Sequence, residues 1–292
     1  MRILAPAKIN VFLRITGRRA DGYHLLDSLM VPISLCDEIK LEAWNVERGT
    51  RNDKEAITVT CDDPALPTDE TNLVYKAAAL LCKEASVRAQ ITIDLRKRIP
   101  VGAGLGGGSS DAAAVLRGLN TLLSLGFDEP RLCTLAARLG ADVPFFISCR
   151  PARVQGIGEI LTPIAFLLTK WFVIVVPSFG VLTPWAYRQF DELPPQADVG
   201  GNIELTDGRW PAAKLLVNDL ERAVIPTYPL IGELKGRLLQ LGAEGALMSG
   251  SGSAVFGMFR DRTGAEQAAN ALENLGKTFV VEHLNEPSAI SL

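Results

Sequence analysis

Apolar residues recur with two different periods along this chain, and the switches between them outline its elements. Alternation at period two, rich in β-branched residues, predicts strands over Ile9 to Ile15, Ile39 to Ala43, Ile57 to Cys61 and Ile91 to Leu95. Spacing at three and four predicts helices over Asn72 to Ala85, Ser110 to Leu123 and Pro130 to Leu139. Further helices are expected near Thr183 to Phe190, Pro229 to Leu241 and Gly264 to Leu275, with Gly242 and Gly276 as stops for the last two. The unbroken run Phe172 to Val176 reads as a buried strand, and a Pro/Gly-rich passage surrounds Leu193 to Gly201. Gly245 to Ser249 and Ala254 to Phe259 bracket Gly250-Ser251-Gly252, a hairpin signal, and Phe279 to Glu282 reads as a last strand. Strands and helices mix without a strict βαβα rhythm. The class is therefore α+β, in two domains with the boundary placed at 163/164.

One interval obeys neither period. Pro100-Val101-Gly102-Ala103-Gly104-Leu105-Gly106-Gly107-Gly108-Ser109-Ser110 lies between the strand Ile91 to Leu95 and a predicted helix. Each glycine costs backbone entropy, so such density makes sense where the backbone must approach something closely. Glycines also let successive N–H groups converge, and a helix start adds free N–H groups and a positive dipole end. Phosphate is the expected ligand, with Ser109 or Ser110 as helix cap and Asp111 in the first turn. Gly102, Gly104 and Gly107 also fit G-x-G-x-x-G. A dinucleotide fold would then need a strand ending in an acid about 20 residues on, and Asp128 at that distance sits in a turn. No lysine follows as a Walker A loop requires.

Composition narrows the partners. The chain has 292 residues, ample for one or two cores. A net charge of −3 argues against a nucleic-acid surface. Five cysteines without a C-x-x-C pair suit thiols in a reducing, cytoplasmic compartment, and two histidines exclude H-E-x-x-H zinc sites. The first motif begins by residue 5, so no targeting segment is expected ahead of it. Ile160 to Val176 imitates a membrane span but is broken by Pro163 and Lys170, so it reads as a connection leading into the buried strand.

Three further segments carry chemistry. Period-two geometry puts Ile9, Val11, Leu13 and Ile15 on one strand face and Lys8 with Asn10 on the other. The latter pair either presents donors to one polar ligand or forms a solvated face. Arg18 and Arg19 read as phosphate contacts or as solvated turn residues. Tyr23 and His24 place an aromatic platform beside a hydrogen-bonding edge, which suits a planar base. Asp142, followed by Val143-Pro144-Phe145-Phe146, is either a helix N-cap or a partly buried carboxylate with a shifted pKa. Cys149 and His283 read as structural.

Together these segments, with Val217-Asn218-Asp219-Leu220-Glu221 and Met248-Ser249-Gly250-Ser251-Gly252, resemble the 4-diphosphocytidyl-2-C-methyl-D-erythritol kinases. That family is the cytidine-bearing branch of the galactokinase, homoserine kinase, mevalonate kinase and phosphomevalonate kinase superfamily. The resemblance runs in order from residue 5 to about 259. It implies an ATP-binding N-terminal domain (1–163) of ribosomal-S5-like topology, a ferredoxin-like substrate-binding domain (164–292), and a cleft between them. ATP with Mg²⁺ would phosphorylate the 2-hydroxyl of a cytidine diphosphate methylerythritol in the non-mevalonate route to isoprenoids. Family roles would make Asp142 the general base, Lys8 its partner and Asn10 a substrate positioner. Tyr23 and Tyr187 would stack on cytosine, with His24 bonding its edge. Pro100 to Ser110 would hold the triphosphate, the Asn72-Leu73-Val74 region and Lys97 would lie near adenine, and Ser110 is a candidate for holding magnesium. A small-molecule substrate, no nucleic acid, no membrane, and a monomer or homodimer are implied.

The chemistry of the residue types agrees. A free alcohol is a poor nucleophile, so a carboxylate in reach must accept its proton as phosphoryl transfers. A mevalonate or homoserine kinase would share the loop but have no use for Tyr23 with His24. A non-catalytic nucleotide-binding relative would have no need of both Lys8 and Asp142. The chain departs from the family at Gly156-Ile157-Gly158-Glu159, where an arginine is usual between the glycines, and Leu25 stands where a polar residue would be unsurprising.

Overall fold

The computed structural model describes residues 1–45, 56–164, 170–194 and 216–284. Beyond residue 194, the passage predicted around Leu193 to Gly201 lies outside them. Two sheets carry the fold. The first holds β1 (Arg2–Arg18), β2 (His24–Asn45), β3 (Ala56–Cys61), β4 (Ala89–Arg96), β5 (Ala152–Gly156) and β6 (Ile160–Pro163). Their order is β3-β4-β2-β5-β6, with β1 paired to β2; β3 and β4 are parallel and the other pairs antiparallel. The second holds β7 (Trp171–Val176), β8 (Gly245–Met248), β9 (Val255–Phe259) and β10 (Lys277–Glu282) in the order β10-β7-β9-β8. Helices α5 (Thr183–Asp191), α6 (Glu221–Val224) and α7 (Pro229–Gln240) separate β7 from β8, and α8 (Arg262–Leu272) separates β9 from β10. That βαββαβ path with its antiparallel sheet is the ferredoxin-like arrangement.

The chain forms four layers. Helices α1 (Leu73–Ala85), α2 (Gly107–Leu122), α3 (Glu129–Ala137) and α4 (Val143–Ser148) share one core with Ile39, Leu41, Ile91, Ile93 and Leu95 of the first sheet. A second core joins the two sheets, with Ile9, Phe12, Val31 and Ile33 against Phe172, Ile174, Phe256 and Met258. A third sets Val173, Val175 and Val255 against α5 to α8. Strand β7 thus feeds two cores with alternate residues, which explains its unbroken apolar run.

Local chemistry sets the helix ends. Asn72 accepts from the Val74 N–H at 3.0 Å to open α1. Asp128 accepts from Arg131 N–H at 3.0 Å to open α3, so it serves as a cap rather than a ribose acid. Helix α2 departs from the serine-capped start expected above. Its N-cap is Gly106 at φ +73°, which supplies the left-handed geometry without a side chain. The helix therefore begins three residues ahead of Ser110, and Asp111 falls beyond its first turn. Gly276 is not a helix stop either. Helix α8 ends at Leu272, and Gly276 instead lets two segments touch, since a Cβ there would lie 2.5 Å from the Val176 carbonyl oxygen.

The face predicted for β1 also needs correction. Ile9 and Val11 enter the core between the sheets, but a register shift between Asn10 and Phe12 turns the strand. Leu13 and Ile15 then join the third core. Lys8 and Asn10 are buried rather than solvated. Strands β5 and β6 and the single-turn α6 were too short to announce themselves by period.

Candidate active site

A cavity of about 890 Å³ opens where the glycine loop, the start of β1, the β1–β2 turn, Asp142, α5 and the β8–β9 turn converge. Lys8, Asn10, Tyr23, His24, Asn72, Lys97, Pro100 to Ser109, Asp142 and Tyr187 all line it. Ser110 does not: it is buried, and its Oγ has no hydrogen-bond partner. Its N–H is already given to the Gly106 carbonyl at 2.9 Å. That bond is the first of the helix, so the N–H groups of Gly107, Gly108 and Ser109 have no acceptor within α2. They form the anion end of the cavity.

Two glycines of the loop are required by contact. A Cβ on Gly104, at φ +76°, would lie 2.1 Å from the Ser249 carbonyl oxygen. One on Gly106 would lie 2.8 Å from the Phe146 ring. The β8–β9 turn closes against this loop, because Ser249 Oγ donates to Gly104 O at 3.1 Å and Ala254 N–H donates to Ala103 O at 3.1 Å. Buried Asn218 holds that turn, donating to the carbonyls of Met248 and Gly250 at 2.8 and 2.7 Å. Asn218 lies in the segment 217–221 that carries part of the resemblance, which by itself implies no role for it. Gly104→Ala is expected to destabilise the fold by about 2–3 kcal/mol and to raise KM for ATP, since the strain falls on backbone rather than on a flexible side chain. Thermal unfolding and steady-state kinetics check this, and an unaltered protein would remove the contact from the account.

Lys8 and Asp142 meet at the centre. Their charged groups are 3.7 Å apart, with the lysine buried and the carboxylate about one-third exposed. Lys8 Nζ donates to Asn10 Oδ1 at 2.5 Å, and Asn10 Nδ2 donates to Ser28 Oγ at 2.8 Å, which donates to Phe12 O at 2.6 Å. Asn10 is therefore committed at both ends of its amide and aims Lys8. Burial pulls the Lys8 ammonium below the ordinary lysine range, and Asp142 pulls the other way. Asp142 occupies the N-cap position of α4 but makes no side-chain cap bond, which leaves its carboxylate to the cavity. An ionised carboxylate beside an ammonium, facing open volume, can take a proton from a hydroxyl.

The opposite end carries flat groups. Tyr23 is 61% exposed. His24 stacks on Tyr187 at 4.8 Å between centroids and 27° between planes. Burial, then the Asp142 charge, push the Tyr187 phenol above its ordinary range. Tyr187 thus lines the cavity with one ring face packed on His24. Arg18 reaches Asp191 at 3.2 Å, and Arg19 pairs with Asp21 at 2.7 Å. Ile157 lines the cavity, and its N–H donates to Glu159 at 2.6 Å, so the departure from arginine leaves an apolar wall there.

Lys97 lies beneath the loop. Its ammonium bonds the carboxylates of Asp37 and Asp111, the latter at 2.5 Å. Asp37 also accepts from the N–H groups of Arg98 and Ile99, at 2.5 and 2.9 Å, bracing the chain that enters the loop. Burial works to lower the Lys97 pKa, but the two carboxylates outweigh it and hold the ammonium above the ordinary range. Burial pushes the Asp111 carboxyl up, to about 7, against the pull of Lys97. Lys97 thus lines the cavity as the counter-ion of two carboxylates. Asn72 is similarly committed: its Oδ1 caps α1 and its Nδ2 donates to Pro67 O at 2.6 Å. The cavity wall beside it is Leu66, Pro67 and Leu73, of which only Leu73 falls in the segment the resemblance points to.

A ferredoxin-like unit packed on a larger mixed sheet, with a glycine anion cradle beside a lysine–carboxylate pair, defines a small-molecule kinase of the GHMP class. Residues 72–150 match the family model for the GHMP kinases N terminal domain, and residues 203–278 match that for GHMP kinases C terminal. The chain is 42% identical to the 4-diphosphocytidyl-2-C-methyl-D-erythritol kinase of Geobacter sp. (strain M21), over 94% of each chain. It is 44% identical to that of Syntrophotalea carbinolica, over 97% of this chain and 99% of the relative. A crystal structure of 4-(cytidine 5'-diphospho)-2C-methyl-D-erythritol kinase superposes with a TM-score of 0.80 at 37% identity, covering 96% of this chain and 98% of that one. Homoserine kinase from Cytophaga hutchinsonii, at 19% identity and a TM-score of 0.74, shares the fold. The chain belongs to the 4-diphosphocytidyl-2-C-methyl-D-erythritol kinase family and is an ATP-dependent enzyme.

Proposed function

We propose that this protein transfers the γ-phosphoryl group of ATP to the 2-hydroxyl of 4-diphosphocytidyl-2-C-methyl-D-erythritol, in the non-mevalonate route to isoprenoid precursors. The observation that carries the reading is the placement of the Lys8–Asp142 pair in one cavity with an anion cradle and with Tyr23 and His24. Asp142 accepts the proton of the hydroxyl, the hydroxyl oxygen bonds to the γ-phosphorus, and the bond to the bridging oxygen breaks to release ADP. Lys8 steadies charge on the acceptor oxygen, and the loop N–H groups hold the phosphates. Leu66, Pro67 and Leu73 make the apolar wall for the adenine ring.

Among the described residues no group of three His, Cys, Asp or Glu side chains is placed to hold a metal. Mg²⁺, when bound with ATP, would supply positive charge to the phosphates held at the glycine loop. Ser110, the candidate from the resemblance, is buried outside the cavity lining. The domain boundary belongs after Pro163, where the first sheet ends and before Trp171 opens the second. Five free thiols accord with a cytoplasmic setting, and no described helix is long and apolar enough to cross a membrane.

The cytidine end is tested by Tyr23→Ala. Stacking of a base on an aromatic ring contributes about 1–3 kcal/mol, so affinity for the cytidine substrate is expected to fall about ten- to a hundredfold while that for ATP holds. Calorimetric titration with each ligand reads the split. Equal losses for both would remove Tyr23 from the cytosine site.

A further inference from the structure

His24 opens β2, and across the β1–β2 pairing it faces Arg18. Its side chain is about one-tenth exposed, held flat against Tyr187 and edge-on to Phe190 at 6.5 Å and 86°. Asp191, the last residue of α5, reaches both members of that pair. Its Oδ1 lies 2.7 Å from His24 Nε2 and its Oδ2 lies 3.2 Å from Arg18 Nη1. An ionised carboxylate can only accept, so Nε2 carries a proton that it gives to Asp191. A ring whose single proton sits on Nε2 presents its other nitrogen, Nδ1, as an acceptor.

We infer that Asp191 is a positioning residue for substrate recognition, fixing the His24 ring so that Nδ1 is offered to a hydrogen-bond donor of the substrate. The inference rests on the reading of the Tyr23–His24 end as the acceptor site. The donor is an N–H or O–H: the exocyclic amine that cytosine has and uracil lacks, or a hydroxyl of the polyol. By bonding Arg18 with its second oxygen, Asp191 also joins the helix of the second unit to the hairpin of the first. An element that only tied the units together would alter stability and both substrates alike. One that aims His24 acts on the acceptor alone.

The chain has two histidines, so proton NMR of the free enzyme can be assigned with a His283→Gln variant. The wild type is expected to show a downfield His24 Nε2–H resonance, slow to exchange with water, that Asp191→Ala abolishes. In the same variant KM for the cytidine acceptor should rise about tenfold, the loss of one neutral hydrogen bond, while KM for ATP holds and kcat changes little. Asp191→Leu, which has no acceptor and fills the space, serves for the kinetics if the alanine variant does not fold. Comparing the cytidine acceptor with its uridine form separates the two donors: discrimination erased in Asp191→Ala assigns the base amine, and discrimination kept assigns a hydroxyl. A resonance that is missing in the wild type or survives in Asp191→Ala overturns the inference, as does a parallel rise in both KM values. If the resonance behaves as expected but the cytidine compound is not phosphorylated, the substrate reading fails and the hold of Asp191 on His24 stands.

Discussion

Asp142→Asn is expected to lower kcat by about 10³-fold, within the range that general-base catalysis supplies, while leaving KM for ATP near its wild-type value. The substitution keeps shape and removes the one group in the cavity that is charged, partly open and beside Lys8. Because Asp142 makes no cap bond to α4, its loss removes chemistry without unpinning the helix. Steady-state kinetics with a thermal-unfolding control check the point. Undiminished turnover would take the proton-accepting role from Asp142.

Lys97→Met is expected to destabilise the fold by about 3–5 kcal/mol at neutral pH, the cost of leaving buried charge without its partner. Two carboxylates, Asp37 and Asp111, would then face each other beneath the glycine loop with no ammonium between them. The sign of the pH dependence follows from Asp111. Its folded-state pKa is raised by burial, and removing Lys97 raises it further. A raised acid weakens the fold where the unfolded chain is ionised; both proteins share that loss up to about pH 7, where the wild-type carboxyl titrates, and the deficit of the variant grows as pH rises above it. Urea unfolding at pH 5 and pH 8 reads both the size and the trend. A loss below about 1 kcal/mol would mean that the triad does not hold the loop.

What could be read from sequence was what repeats locally. Strand β4, the loop Gly102 to Gly108 and helix α2 follow one another within a few residues, so period and glycine density revealed the phosphate end directly. Lys8 and Asp142 were legible as candidates because a lysine inside a strand and an acid before an apolar run are each chemically awkward. Their meeting is tertiary and required the resemblance. What stayed hidden was of three kinds. The bulge at Asn10/Phe12 changes which face β1 buries, and no residue type announces it. Lys97 and Asn72 line the cavity, but their bonds to Asp37, Asp111, Pro67 and the start of α1 have no signature in the sequence. Asp191 and Asn218 act through partners many residues away in sequence, on His24 and on the β8–β9 turn, and local pattern holds no trace of such pairings. The cap of α2 failed for a smaller reason: serine is the better N-cap by side chain, but Gly106 supplied the backbone angle first.

The most direct test is ATP-dependent phosphoryl transfer by the purified protein to three acceptors offered side by side. The account predicts turnover of 4-diphosphocytidyl-2-C-methyl-D-erythritol, with phosphorus NMR placing the new monoester on the 2-hydroxyl, and negligible transfer to mevalonate or homoserine. Transfer to either of those in preference, or none to the cytidine compound, would contradict it.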